Sequence, residues 1–544
     1  MKKIVIPFII ILLFLSLTAA NDEYYFKISK SFDVFGAVFR EINDNYVVDI
    51  DPEEVVINGI QGMLKELDPY TVYYQEKEKE EIDLVTEGEY VGFGITIRKI
   101  DGNVTIVDFA EDFRAYDSGL RIGDIIYKIN DSEVMNMNND ELKGYTQGVP
   151  GSIANVEVLR NELQDTVKLK VERNSVKIRD VSWFGMINKD VGLIRLERFS
   201  KHAVEEFYNA LIHLKENNKP KALIIDVRDN PGGLLEAAVG IAELFLPRGS
   251  LIVSTKGKRY KRSYDYRAEM DPVDLDIPLA VLIDGGSASA SEILAGAIQD
   301  HDRGIILGRR SFGKGLVQTI FNLPYKSKLK ITTANYYTPS GRSIQKVVYG
   351  NNRGSSYEID TFFTDNGRPV FESKGITPDS TLDARPFNSY INDIAKRELF
   401  FKFATRYIEQ KGPEGKNFSI DDDILSQFKE FLSENTYYYK SRSIKLIEEL
   451  YLNSEEDNFS DRSNELLDSL NSNIRQDNKE LFDLNRDELK EHLEFEIVRR
   501  NINKEELLTI RLPEDETVVQ AAEILSNDIY NEILAGEVLE DGRN

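Results

Sequence analysis

The spacing of apolar positions changes several times along the chain, and each change marks a region. Residues 21 to about 85 carry aromatic and apolar side chains at helical spacing, as in Phe32, Val34, Phe35, Val38 and Phe39, which predicts a small helical region. Leu67-Asp68-Pro69-Tyr70 reads as the turn that stops it. From Glu89 the pattern alternates: Tyr90 to Ile97, Val104 to Val107, then Val156 to Val171, with one helix-like insert between, which predicts a β-rich module. From about Lys177 apolar strand runs alternate with helical patterns. Val191 to Leu196 precedes Ala203 to Leu214, Ala222 to Val227 precedes a helix from near Leu234 to Phe245, and Leu279 to Ile283 precedes Ile293, Leu294, Ala297 and Ile298. Lys328 to Ala334 alternates like a strand. After about residue 386 the chain is acidic and helical, with LFFKFATRY, ILSQFKEFL and LFDLNRDELKEHLEFEIV as amphipathic stretches of an accessory domain that packs on the core or on partners.

Composition narrows the chemistry. A length of 544 residues suits several domains, and a net charge of -25 argues against nucleic acid, which needs clustered Lys and Arg. The basic run Lys256 to Arg262 reads as a solvated loop. No cysteine is present, which excludes disulfides, thiol catalysis, thiolate zinc sites and a cysteine-borne lipid anchor. His202, His213, His301 and His492 are scattered without metal-ligand spacing, so no metal or cofactor is expected and a hydrolytic base would be another residue. Lys2 and Lys3, the apolar run Ile4 to Leu17, and Thr18-Ala19-Ala20 before Asn21-Asp22-Glu23 describe a secretory signal peptide over residues 1–20, cleaved rather than kept as an anchor. The expectation is an extracytoplasmic protein of the cell envelope, in the periplasm, with membrane association only through this segment.

Candidate chemistry lies where strands empty into helices. After Leu279–Ile283 the chain breaks at Asp284-Gly285-Gly286 and enters the small-residue run Ser287 to Ser291, at a helix N-terminus whose free N–H groups and dipole suit a nucleophile. The pattern does not choose among Ser287, Ser289 and Ser291. Downstream, Gly308 to Gly315 (GRRSFGKG) has the spacing of a phosphate-binding loop, but Gly315 stands where Ser or Thr is required and a strand-like run follows. The structural reading, a glycine turn with an exposed lysine and a serine-rich helix cap upstream, is favoured for either piece alone; a Ser/Lys dyad is the other chemical reading, with lysine as base once burial lowers its pKa from ~10.4 towards ~7 to 8. Asp226 to Gly233 forms a second strand-to-helix turn whose N–H groups suit a developing negative charge. Gly92-Phe93-Gly94-Ile95 is either an anion-binding loop or a hairpin turn, and the pattern by itself favours the hairpin.

Residues 85 to 385, approximately, resemble the carboxyl-terminal processing (tail-specific) peptidases. The matching stretches are Asp226-Val227-Arg228-Asp229-Asn230-Pro231-Gly232-Gly233, Ser287-Ala288-Ser289-Ala290-Ser291-Glu292, Phe312-Gly313-Lys314-Gly315 with Val317-Gln318, Thr338-Pro339-Ser340-Gly341, and Gly375-Ile376-Thr377-Pro378-Asp379. The β-rich module resembles a PDZ domain through Gly92–Ile95 and Ser118–Ile126. The resemblance implies an inserted PDZ domain 86–175 and a Clp protease/crotonase-like core 176–385; with the signal peptide 1–20, the helical region 21–85 and the helical domain 386–544, which its motifs do not cover, the expectation is an α/β and α+β multidomain chain. It implies Ser289 as nucleophile, Lys314 as general base, Gln318 as the residue orienting the lysine, and an oxyanion hole from Ala290 with Gly232 or Gly233. Gly92, Phe93, Gly94 and Ile95 would capture the free C-terminus of a protein substrate. The competing expectation is a catalytically silent envelope scaffold that binds peptides through the same module.

Overall fold

The structure, a computed structural model, describes residues 2–76, 86–110, 118–160, 165–258, 263–347, 349, 360–372, 374–382, 388–454 and 456–537. Part of the basic run Lys256–Arg262 lies outside these. The first helix, α1 (Lys2–Asn45), continues through the expected cleavage point at Ala20. Helix α2 (Pro52–Lys65) starts with Pro52 and is capped by the Asp51 side chain, which accepts the Glu53 N–H. Asp68 makes the expected turn by accepting the Tyr70 and Thr71 N–H groups, each at 2.9 Å. The region is not wholly helical: β1 (Val72–Tyr74) follows, pairing antiparallel with Lys328–Lys330. A three-residue run of Val and Tyr has too little length for its period to show. These elements, Thr319–Thr332 and Tyr349 belong to one compact unit, and the other described residues form a second. Among the described residues no helix is long and apolar enough to cross a membrane.

The β-rich module holds β2 (Glu89–Gly92), β3 (Ile95–Ile100), β4 (Asn103–Phe109), β5 (Ile125–Ile129), β6 (Ser132–Glu133), α3 (Asn139–Thr146), β7 (Ile153–Arg160), β8 (Asp165–Glu172) and β9 (Asn174–Lys177). Its main sheet runs β3-β4-β5-β7-β8, over a core that includes Phe93, Ile106, Leu120, Ile126, Leu142 and Val158. The hairpin favoured for Gly92–Ile95 is not formed. β2 pairs with β9 and β3 with β4, so the loop passes from one sheet to another. Phe93 is 1% exposed, which sinks the middle of the loop into the core instead of lifting it to a turn tip.

The module joins the following domain at a buried polar junction. The Ile178 N–H donates to Gly88 and the Lys201 N–H to Thr86, clasping the entering and leaving strands. Beneath them the Ser200 hydroxyl donates to Asp180, both fully buried. Burial pushes the Asp180 carboxyl up to about 6, the Ser200 hydrogen bond opposing and nearby Glu206 adding. The folded chain then holds this proton to higher pH than the unfolded chain does. Its stabilisation is complete below about pH 4 and lost as pH rises through about 6. Melting temperatures between these pH values should therefore fall more steeply for the wild type than for Asp180→Asn; parallel slopes would reject the assignment.

The next stretch of chain contains β10 (Val181–Met186), β11 (Val191–Leu196), α4 (Ala203–His213), β12 (Ala222–Asp226), α5 (Leu235–Ala242), β13 (Leu251–Gly257), β14 (Tyr264–Arg267), β15 (Leu279–Ile283), α6 (Ala290–Asp300), β16 (Ile305–Gly308), β17 (Leu316–Asn322) and β18 (Lys328–Tyr337), whose parts within Thr319–Thr332 belong to the first unit, the β19–β20 pair (Thr361–Phe363, Pro369–Phe371) and β21 (Ser380–Thr381). Its six-stranded sheet has the order β10-β11-β12-β15-β16-β21, parallel from β11 onward. Alternate residues serve two cores. Ile225, Val281 and Ile306 face Phe207, Ile241 and Leu294 of the helices, whereas Ile224, Leu282 and Ile305 face the other way. Burial on both faces is why these strands read as unbroken apolar runs. Helix α5 ends three residues before Phe245, whose N–H turns back to Ala242 and keeps the ring buried.

The tail comprises α7 (Ser389–Lys396), α8 (Leu399–Lys411), α9 (Asp422–Glu434), α10 (Arg442–Ser454), α11 (Asp461–Leu484), α12 (Arg486–Val498), α13 (Lys504–Arg511), α14 (Glu516–Leu525) and α15 (Ile529–Leu534). Phe400, Phe428, Leu493 and Ile497 help form its own core. The last two helices do something else: Val518, Ala521, Leu525 and Ile533 pack on Leu193, Ile224, Leu282 and Ile305, covering the second face of the core sheet. The Leu279 N–H donates to the Tyr530 hydroxyl at 3.3 Å. Elsewhere Phe401 packs on Ile100 and Val107 of the β-rich module, and Arg499 donates to the Val107 carbonyl at 3.1 Å.

Candidate active site

Two strand-to-helix turns lie against each other at the carboxyl ends of β12 and β15. Asp284 ties them, its Oδ1 accepting the Asp229 and Gly286 N–H groups at 2.9 Å. In the small-residue run, two hydroxyls are fully buried and committed. Ser287 donates to the Val227 carbonyl at 2.7 Å and Ser291 to the Asn230 carbonyl at 2.9 Å. Ser289, between them, is half-buried and occupies φ 56°, ψ −111°, a conformation L-residues rarely adopt. It caps α6 in a capping box with Glu292, and Ala290 is the first helical residue. Strain held by surrounding structure at a sharp strand-to-helix turn is a feature of serine nucleophiles.

Gly232 explains how the second turn approaches so closely. Its φ is +98°, and a Cβ there would stand 2.9 Å from Ser289 Cβ, 2.9 Å from the Ala290 nitrogen and 2.6 Å from the Ala288 oxygen. The Gly232 N–H itself donates to Asn230 Oδ1 at 2.9 Å, and the Asn230 amide is fixed by donating to Leu196 O at 2.8 Å.

Glu292 links the serine segment to the lysine segment. Its Oε2 accepts the Ser289 N–H and the Lys314 N–H, each at 2.9 Å, so the two main-chain nitrogens lie within twice that distance of each other. Its Oε1 accepts the Gly313 N–H at 2.8 Å and the Ser311 hydroxyl at 2.5 Å. Burial raises the Glu292 pKa, while the Ser311 hydroxyl and the three N–H groups act in the opposite direction. Gly313 is required here: its φ is +89°, and a Cβ would stand 2.8 Å from Lys346 Cβ. Lys314 is half-buried, and Gln318, third residue of β17, is half-buried as well. The Tyr336 hydroxyl donates to the Ser289 carbonyl at 3.1 Å from a fully buried ring, burial and Glu292 both raising its pKa.

Ion pairs brace the flanks. Asp226 is fully buried between Arg195 (2.7 Å) and Arg228 (2.8 Å), and Arg228 reaches Asp515 at the start of α14 (3.0 Å). Burial opposes ionisation of Asp226, but Arg228 and Arg195 hold its carboxyl below the usual range. At the other end of α6, Arg342 pairs with Asp300 at 2.8 Å and Arg368 donates to the Gln299 carbonyl at 3.3 Å, cations placed where a helix is negative. This is where Thr338–Gly341 and Gly375–Asp379 find their use: Ser340 N–H bonds Asp300, and Asp379 pairs with Arg368 at 2.6 Å. Among the described residues no group of acidic or histidine side chains could hold a metal ion.

Sequence reasoning reaches Glu292 only as one letter of a motif and overlooks Tyr336 and Arg342. The Ser-x-x-Glu spacing of a capping box is the available signal for Glu292. A neutral amide cannot accept from all four of its donors, so Glu292→Gln should destabilise the fold by about 2 to 4 kcal/mol and lower turnover. Urea titration and kcat measurement would check both, and wild-type values in each would remove the clamp role.

Three stretches of the chain match known families. Residues 190–350 match peptidase family S41, residues 91–171 the PDZ domain, and residues 390–525 the family described as probable PDZ-protease, C-terminal helical domain. The chain is 34% identical over 335 residues to the carboxy-terminal-processing protease of Bartonella bacilliformis, covering 61% of this chain and 76% of that protein. It is 29% identical over 318 residues to the carboxy-terminal processing protease CtpA of Bacillus subtilis, covering 58% of this chain and 67% of that one. Among solved structures it is similar to a photosystem II D1 C-terminal processing protease, at 25% identity, 66% of this chain, 90% of that chain and a TM-score of 0.39. With two buried-turn serines, a strained third and a PDZ domain ahead of them, the chain belongs to the S41 peptidases, among the carboxy-terminal processing proteases.

Proposed function

We propose that this S41 peptidase is a serine endopeptidase that captures the free C-terminus of a protein substrate on its PDZ domain and cleaves near that end with a Ser289/Lys314 dyad. The observation that carries the reading is the Glu292 carboxylate, one oxygen of which holds the main chain of both residues. The neutral Lys314 amine takes the Ser289 proton as the hydroxyl oxygen attacks the scissile carbonyl. Collapse of the tetrahedral intermediate returns that proton to the leaving amine and leaves an acyl-enzyme, which water hydrolyses with Lys314 again as base. The oxyanion would accept from the Ala290 N–H and from Gly233, because the Gly232 N–H is already given to Asn230; each donor is worth about 3 kcal/mol. Gln318 would orient the lysine. Residues 1–20 would direct export, placing the enzyme in the periplasm or elsewhere in the envelope.

Labelling by a fluorophosphonate, followed by peptide mapping, tests the assignment. The adduct is expected on Ser289. An adduct on Ser287 or Ser291, or none at any reagent concentration, would overturn it, the last outcome favouring the silent scaffold.

A further inference from the structure

The turn that carries Gly232 and Gly233 is held at both ends, and the two holds come from different parts of the chain. Its far end is fixed inside the core. The Phe199 N–H donates to the Gly232 carbonyl at 3.2 Å, the Leu234 N–H donates to the Phe199 carbonyl at 2.7 Å, and a Cβ on Gly233 would stand 2.2 Å from that carbonyl oxygen. The near end is fixed by Arg228. Its N–H and Nε donate to Asp226 Oδ1 at 3.0 and 2.9 Å, and its Nη2 donates to Asp226 Oδ2 at 2.8 Å. Asp226 Oδ2 also accepts from Arg195 at 2.7 Å, so one buried carboxylate serves two guanidiniums. The second carboxylate is supplied by the tail: Arg228 Nη1 donates to Asp515 Oδ1 and Oδ2 at 3.0 and 3.1 Å.

Directly after Arg228 the main chain passes through Asp229 at φ 59°, a conformation that costs free energy in a non-glycine residue and persists only where its surroundings enforce it. Removing one hold therefore lets the turn relax. Asp515 is engaged in this contact and in the cap of α14, whose Val518 N–H it accepts at 3.0 Å. Arg228 and Asp515, with Thr517, stand in the walls of two cavities of about 270 and 470 Å³. The guanidinium thus has space to swing into once its tail partner is lost. Burial works against its charge, and Asp226 first and Asp515 after it outweigh that burial. A displacement of about 1 Å in a group that meets the transition state costs on the order of 100-fold in rate.

We propose that Asp515 is a positioning residue for peptide-bond cleavage: from the tail, through Arg228, it fixes the turn that presents Gly233 to the oxyanion. The tail then supports the reaction and not only the fold. This rests on Gly233 and Ala290 forming the oxyanion hole. The test measures single-turnover acylation of the full chain by a peptide ester and by its thionoester, whose larger sulfur is a poor acceptor in a hole built for oxygen. The wild type is expected to react with the ester on the order of 100-fold faster. Asp515→Asn keeps the cap and loses the charge. It should slow the ester by about 10- to 100-fold at an unchanged half-saturating concentration and shrink the preference for oxygen. Asp515→Glu, which keeps the charge, should retain most of that preference. Leu525→Ala, at the far end of the same helix, should lower the urea midpoint and leave both rates alone. An Asp515→Asn enzyme with wild-type acylation would overturn the proposal. So would a loss that Leu525→Ala or Asp515→Glu reproduces in full, which would make Asp515 a brace or a cap for α14 alone. A wild type indifferent to sulfur would instead sink the oxyanion reading.

Discussion

Ser289→Ala is expected to leave an unfolded protein substrate intact, with turnover lower by on the order of 10^6, the usual loss when a nucleophile that acts in concert with its base is removed. Folding should be untouched. Alanine meets the same backbone constraint at φ 56°, and it keeps the main-chain N–H that Glu292 accepts at 2.9 Å. A change in stability beyond about 0.5 kcal/mol is therefore not expected. The neighbouring serines provide the contrast. Ser287 donates to Val227 and accepts the Asp284 N–H at 2.9 Å, so Ser287→Ala strips the buried Asp284 N–H of this partner, leaves the Val227 carbonyl with the 3.3 Å bond from Asn230, and should cost about 1 to 3 kcal/mol. Digestion by Ser289→Ala at the wild-type rate would remove this residue from the chemistry.

The second large effect belongs to Lys314. Lys314→Ala should lose activity on the same scale, because an unassisted hydroxyl is a weak nucleophile at neutral pH. The fold should survive, since Glu292 grips the Lys314 main chain, which alanine retains. Lys314→Arg separates charge from proton transfer: a guanidinium keeps the positive charge but does not give up its proton in proteins. It should be as inactive as alanine. An arginine variant with wild-type turnover would end the general-base assignment.

Much of the core was legible because its physics is local. Leu279–Ile283 and Ala222–Asp226 are buried on both faces, so they stand out as uninterrupted apolar runs, and the glycine-bearing turns after them mark their ends. The path of Gly92–Ile95 was not legible, since the partner of a strand is chosen by the whole sheet and not by the four residues of a loop. The helical tail was visible, whereas its split duty was not: α14 is amphipathic whichever core receives it, and nothing in its spacing says that Ile224 and Leu282 wait opposite. At the site, three serines in five residues look alike on paper. Burial and the hydrogen bonds of Ser287 and Ser291 set Ser289 apart, and those depend on Val227 and Asn230, some sixty positions away.

The placement of α14 and α15 also sets a timetable for biogenesis. Strands β11 and β12 leave the ribosome long before Val518 and Ile533, which shield one side of them. Until the final helices emerge, that side offers bare aliphatic surface to chaperones or to aggregation. A product terminated before Val518 would leave that side of the sheet uncovered and sticky.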